Sequence, residues 1–173
     1  LLHYSRIYNI KVLSLRLFNV YGTKSRTSGT YGAMFGVFLK QKLASKPLTV
    51  VGNGNQKRDF TYVSDIVEAF HKCLFYKGKI KIFNVGTGKP ISVNKIVRIL
   101  KCNKIKIPKR PGEPDITHAN INLVRKELKW QPKITIEKGI SLILKDLNYW
   151  ENAPLWTPNK IKNATKDWFR YIK

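Results

Sequence analysis

Two arginines stand out for where they lie. Arg58 ends the run Gly52-Asn53-Gly54-Asn55-Gln56-Lys57-Arg58 ahead of Asp59-Phe60, and Arg110 opens Arg110-Pro111-Gly112-Glu113. A guanidinium presents a planar fork of N–H donors that matches phosphate oxygens two at a time. Two such forks from separate loops make a clamp suited to a diphosphate. A single arginine is more often a solvated surface residue. It is the placement of each beside a glycine-bearing turn, with an aromatic or acidic neighbour, that points to an anion site. The remaining chemistry-bearing residues form no comparable pattern. His3, His71 and His118 are far apart, and Cys73 and Cys102 lack ligand spacing, so neither a metal site nor a disulfide framework is expected. Gly86-Thr87-Gly88 holds too few glycines for a dinucleotide loop and reads as a turn that needs positive φ. Asp65, with Ser64, reads as a helix cap rather than a catalytic acid.

The elements that must carry these residues alternate between strand and helix, which gives an α/β class. Leu1–Tyr8 has helical spacing and stops at Asn9. Lys11–Val20 alternates and is rich in β-formers, a strand closed by Tyr21-Gly22, with a loop over 23–31. A helix is expected over Met34–Ala44, a strand over Leu48–Val51, a turn at Gly52–Asn55 and an extended run at Asp59–Val63. A helix through Ile66, Val67, Ala69, Phe70 and Leu74 follows, then a strand at Lys81–Val85 and a helix that starts at Ser92. Ile105–Ile107 is a short strand, and helices are expected near Leu123–Leu128 and Ile136–Leu147. The tail, 150–173, contains a helix starting near Thr157-Pro158, and its Trp150, Trp156 and Trp168 read as packing or subunit-contact residues. The short, irregular strands suggest a substrate-binding lobe rather than a whole doubly wound sheet.

The bulk properties narrow the function. The net charge is +23, from 33 Lys and Arg against 10 Asp and Glu, which suits anionic partners. The lysines are dispersed, as in Lys101-Cys102-Asn103-Lys104-Ile105-Lys106, and no recognition helix, zinc finger or aromatic RNA-binding motif accompanies them. The charge reads as solvated faces around a site for an anionic small molecule, with no nucleic-acid partner expected. A basic nucleic-acid-binding module is the alternative from a different class. No apolar run approaches the roughly 18–20 residues that span a bilayer, so no membrane association is expected. The first residues do not have the pattern of a signal peptide, and a cytoplasmic setting fits the cysteine usage. The first residue is Leu1, which falls inside a helical pattern, so the chain reads as a piece of a longer protein.

Five segments in order carry a resemblance. They are Arg16-Leu17-Phe18-Asn19-Val20-Tyr21-Gly22, Pro47–Gly52, Arg58-Asp59-Phe60-Thr61-Tyr62-Val63-Ser64-Asp65, Phe83-Asn84-Val85-Gly86 and Arg110-Pro111-Gly112-Glu113. Together they resemble the C-terminal part of the NAD-dependent epimerase/dehydratases, the extended short-chain dehydrogenase/reductases, over nearly the whole chain to about residue 147. The resemblance implies the C-terminal portion of a Rossmann-type fold with a small mixed α/β substrate lobe. Residues 1–173 would form a single substrate-binding region, in which 11–22 and 81–88 supply strands to the nucleotide-binding sheet and 150–173 forms a helical tail. It implies that Asn19, Arg58 and Arg110 bind the diphosphate of a nucleotide sugar. Thr49, Val50 and Val51 would line its base through backbone and apolar contacts, Glu113 would meet the ribose hydroxyls and Phe60 would lie near the sugar. Phe18 and Val20 would lie beside the NAD cofactor.

The sequence has no Gly-x-x-Gly-x-x-Gly and no Tyr-x-x-x-Lys. The NAD pyrophosphate site and the tyrosine that acts as general base are therefore expected upstream of Leu1, and these residues alone should be inactive. The whole enzyme is expected to be a homodimeric UDP-sugar 4-epimerase that oxidises a UDP-hexose transiently at C4 through NAD. The alternative within the family is a dehydratase or decarboxylase acting on a dTDP- or UDP-sugar.

Overall fold

The computed structural model describes residues 2–25 and 34–172. The chain runs α1 (Leu2–Ile7), β1 (Ser14–Leu17), β2 (Val20–Tyr21), α2 (Met34–Leu43), β3 (Leu48–Val51), β4 (Lys57–Arg58), β5 (Thr61–Tyr62) and α3 (Val63–Leu74). It continues through β6 (Ile82–Val85), β7 (Ile91–Ser92), α4 (Val93–Leu100), β8 (Lys104–Ile107), α5 (Asn122–Leu128) and α6 (Ile136–Lys145). A 3₁₀ turn at Leu147–Trp150 leads to α7 (Pro158–Ala164) and α8 (Lys166–Tyr171). Most of the loop expected over 23–31 lies outside the described residues.

Strand pairing is between elements distant in sequence. β1 lies parallel to β6, β2 to β5 and β3 to β8, while β4 and β7 are antiparallel. The single strand expected over Lys11–Val20 is therefore two. Phe18 N–H still donates to Val85 on β6 at 3.0 Å, whereas the Asn19 carbonyl already accepts from Thr61 N–H at 3.2 Å. The chain changes partner at Asn19, and the change ends one strand and starts the next.

Two apolar cores result. One joins α2, β3, α4, α6 and Trp150, and includes Leu39, Val50, Ile96 and Ile140. The other sits between β6, α3 and α5 around Phe83, Val85, Val124 and Trp130, with Leu13 and Leu15 packed against it. Helix starts follow the capping rules in α4 and α7. Ser92 accepts from Lys95 N–H and Thr157 from Lys160 N–H, the latter with Pro158 in the first turn. Helix α3 departs from expectation. Its N-cap is Tyr62 and it has no side-chain cap. Asp65 is buried in the first turn and its Oδ2 accepts from the N–H groups of Lys133 and Ile134, at 3.1 and 3.0 Å. Its role is to tie α3 to the approach of α6. An acidic residue at a helix start satisfies the cap pattern in sequence, and only the arrival of a distant loop redirects its carboxylate.

Candidate functional site

Arg58 and Arg110 meet because strand β4 recruits the loop that carries Arg110. Lys57 N–H donates to Asp115 O at 2.8 Å and Thr117 N–H to Lys57 O at 3.1 Å, which lays the segment after Arg110 beside β4. Arg110-Pro111-Gly112-Glu113 is a tight turn with Gly112 at φ +69° and Glu113 N–H on Arg110 O at 3.4 Å. Proline in the second position and a positive-φ glycine in the third are the residue choices of a type II turn. The turn aims the Glu113 carboxylate between the two guanidinium groups. Oε1 lies 3.0 Å from Arg58 Nη2, and Oε2 lies 3.3 Å from Arg110 Nε. The second contact is an ion pair rather than a well-formed hydrogen bond, since Oε2 is buried without a hydrogen-bond partner. The side chains of Arg58, Arg110 and Glu113 are 12, 20 and 22% exposed. Two cations thus share one anion in a partly desolvated place, which holds the arginines close against their mutual repulsion and leaves an excess positive charge. Just outside, Lys109 bonds Asp115 at 2.7 Å and holds that carboxyl below its usual range.

These three side chains edge a cavity of about 640 Å³, within the size range of small-ligand sites. Asn19 and Val20 enter it from the junction of β1 and β2, and Thr49 and Val51 from β3. Asn19 Oδ1 accepts from Thr117 Oγ1 at 3.1 Å, so the loop that carries Arg110 also steadies the asparagine. Phe60 lines the cavity from within an aromatic cluster, edge-on to Phe35 with ring centres 5.5 Å apart.

Two expected residues stand apart. The Val50 side chain is buried in the core, because alternate strand residues face opposite ways and Thr49 and Val51 take the cavity face. Phe18 is half-buried and is not part of the cavity wall. The backbone of β3 is also partly engaged. Gln41 Oε1 accepts from Thr49 N–H at 3.1 Å, and Gln56 Nε2 donates to Val51 O at 3.1 Å. Side chains therefore take up two of the backbone groups expected to meet a base.

The sequence pattern also overlooked a buried hub. Asp59 is fully buried; its Oδ1 accepts from Thr87 N–H and Thr87 Oγ1, and its Oδ2 from Gly88 N–H at 2.9 Å and Ala119 N–H at 3.0 Å. One carboxylate thus fixes three chain segments next to Arg58. It also explains Gly86-Thr87-Gly88. The Thr87 and Gly88 amides are spent on Asp59 rather than on a phosphate. Gly88 has the expected positive φ, +69°, whereas Gly86 is needed for space, since a Cβ there would lie 2.4 Å from the Ala119 methyl.

Tyr21, which lines the cavity, is not a base. Burial pushes its phenol well above the usual value, helped by Tyr62, Asp65 and Glu137, so it stays a neutral hydroxyl. The tail contributes Ile161 and Trp168 to the wall. Trp150 is fully buried and Trp156 packs on the core, as expected of packing residues, but Trp168 faces the site. Among the described residues, no group of His, Cys, Asp and Glu could hold a metal ion, and no helix is long and apolar enough to cross a membrane.

The arrangement can hold a dianion against two guanidinium groups with an apolar-walled space beside it. A profile of the NAD dependent epimerase/dehydratase family matches residues 1–86. UDP-glucuronate 4-epimerase of Thermodesulfobacterium geofontis is 35% identical over 144 residues, covering 79% of this chain and 43% of that protein. The dTDP-4-dehydro-6-deoxyglucose reductase of Escherichia coli is 33% identical over 148 residues, covering 80% and 46%. In structure, the chain is similar to UDP-glucuronic acid 4-epimerase from Bacillus cereus, solved with UDP-glucuronic acid and NAD. The TM-score is 0.75 at 29% identity, covering 86% of this chain and 48% of that one. The chain spans about half the length of the relatives it matches.

Proposed function

We propose a function for a chain that belongs to the NAD dependent epimerase/dehydratase family: it is the nucleotide-sugar-binding part of a UDP-sugar 4-epimerase. The observation that carries this reading is the convergence of Arg58, Arg110 and Asn19, from three separate segments, on one cavity. The diphosphate lies between the two guanidinium groups, with Asn19 at its end. Glu113 orients both arginines, and its remaining lone pairs accept from a ribose hydroxyl. Thr49 and Val51 flank the base, and Phe60 gives the sugar an apolar wall.

The residues present fit only one edge of NAD. Val20 lies at the cavity rim beside Asn19 and suits the nicotinamide end, with Phe18 two residues before it in the chain. The Gly86-Thr87-Gly88 turn after β6 does not serve the pyrophosphate, because its Thr87 and Gly88 amides are bonded to Asp59. NAD, when bound, supplies reversible hydride acceptance. The part of this chain is to hold the diphosphate still so that the sugar is presented to that chemistry. The reading assigns the dinucleotide site and the general base to further chain, and two features support it. Among the described residues β1 and β6 form a two-stranded parallel sheet, a type normally buried on both faces. Val67, Phe70 and Leu74 form a stripe on α3 that is 61, 52 and 75% exposed, an apolar face of the kind that another surface covers.

The test is turnover. The native protein that contains these residues should convert UDP-glucose to UDP-galactose, while residues 1–173 alone should not. A keto-sugar or a pentose as the only product would move the assignment to a dehydratase or a decarboxylase. Turnover by residues 1–173 alone would show that the chemistry has been placed in the wrong half.

A further inference from the structure

We infer that the C-terminal tail is part of the diphosphate site and that Trp168 is a positioning residue for Arg110; this deepens the nucleotide-sugar reading and rests on it. The turn that carries Arg110 is held by the tail at three points. The Trp168 indole N–H donates to Pro111 O at 2.8 Å. The Arg110 guanidinium carbon lies over the Trp168 ring, 5.8 Å from its centre. The Ile172 side chain comes within 3.5 Å of where a Cβ would stand on Gly112. The tail is itself braced at the joint between its two short helices, where buried Thr165 gives its Oγ1 hydrogen to Ile161 O at 2.8 Å. Ile161 and Trp168 both face the cavity.

The chemistry of this cation–π contact suits the role. The ring face attracts the guanidinium charge, whereas a phosphate is bound by N–H donors, so both contacts are compatible. An arginine side chain held in this way before the ligand arrives has already lost much of its rotamer freedom, and the ligand binds more tightly for it. Glu113 fixes Arg110 from one side by charge and Trp168 from another by its π face. Trp168 therefore acts through Arg110, at the phosphate end of the site.

The test compares UDP with uridine by calorimetry on the intact protein. Trp168→Ala should raise the Kd of UDP about fivefold to tenfold, the worth of a partly buried cation–π contact, and leave that of uridine within about twofold. Trp168→Phe keeps a ring under Arg110 and should recover most of the UDP affinity, whereas Trp168→Leu, which keeps bulk without a π face, should not. In the Arg110→Ala background, Trp168→Ala should add less than about twofold, because its effect passes through Arg110. Equal loss for UDP and uridine, equal behaviour of the Phe and Leu variants, or additive effects with Arg110→Ala would each overturn the inference. Should Trp168→Ala not fold, the Phe and Leu variants decide alone. Failure of the unsubstituted protein to bind UDP would instead remove the nucleotide-sugar reading itself, and this inference with it.

Discussion

Replacing Arg58 by alanine should raise the Kd for UDP about 30- to 100-fold, or roughly 2–3 kcal/mol, the range for a charge-assisted pair of hydrogen bonds in a partly desolvated place. The Arg58 side chain is only 12% exposed, so salt screens it less than a surface cation. Its removal costs twice. One fork of the clamp is lost, and Glu113 then faces the diphosphate with only Arg110 to balance it. Lysine should restore less than half of the loss in free energy, because a point charge cannot match two phosphate oxygens at once. Uridine should bind the variant almost as it binds the unsubstituted protein. Calorimetry with both ligands separates these outcomes, and a parallel loss for uridine would mean that Arg58 shapes the pocket instead of holding phosphate.

Asp59→Ala should be the most destabilising single change near the site, by about 4 kcal/mol. It leaves three backbone N–H groups, of part-buried Thr87 and Gly88 and of buried Ala119, without their acceptor, and a buried donor left unpaired costs roughly 1–3 kcal/mol. For a chain of this size that is a fall in Tm of about 10 °C. Asp59→Asn should lie between, since its amide oxygen can still accept while its NH₂ meets donors. Melting curves followed by circular dichroism check the order. A fall of less than about 3 °C for Asp59→Ala would mean that water or a local shift satisfies the three donors. Because Asp59 adjoins Arg58, the variant should also bind UDP less tightly.

The contrast between these two residues shows what could be read from the sequence. Arg58 and Arg110 were legible because their turns carry local signatures, above all the Pro-Gly pair that forces Glu113 between them. Most elements were legible for the same reason, Ser92 and Thr157 as caps among them. Asp59 was not, because its four partners come from segments 28 to 60 residues away and no local rule predicts their arrival. Asp65 misled in the same manner, reading as a cap while its carboxylate serves the distant Lys133–Ile134 backbone. The split of the first strand at Asn19 depends on a change of partner from β6 to β5, which hydrophobic periodicity does not register. That the Val50 side chain turns to the core follows from strand geometry, since it must face away from Thr49 and Val51. Trp168 gave no signal beyond being an aromatic residue in a polar tail, and its contact with Pro111 spans 57 residues.

We propose that this cavity holds the diphosphate of a nucleotide sugar. The most direct measurement is a calorimetric titration of the intact protein with UDP, set beside a titration with duplex DNA across a range of salt. UDP should bind at one site, and both Arg58→Ala and Arg110→Ala should weaken that binding strongly. The contradicting result would be no UDP binding, together with DNA binding that falls steeply with salt and is indifferent to either substitution.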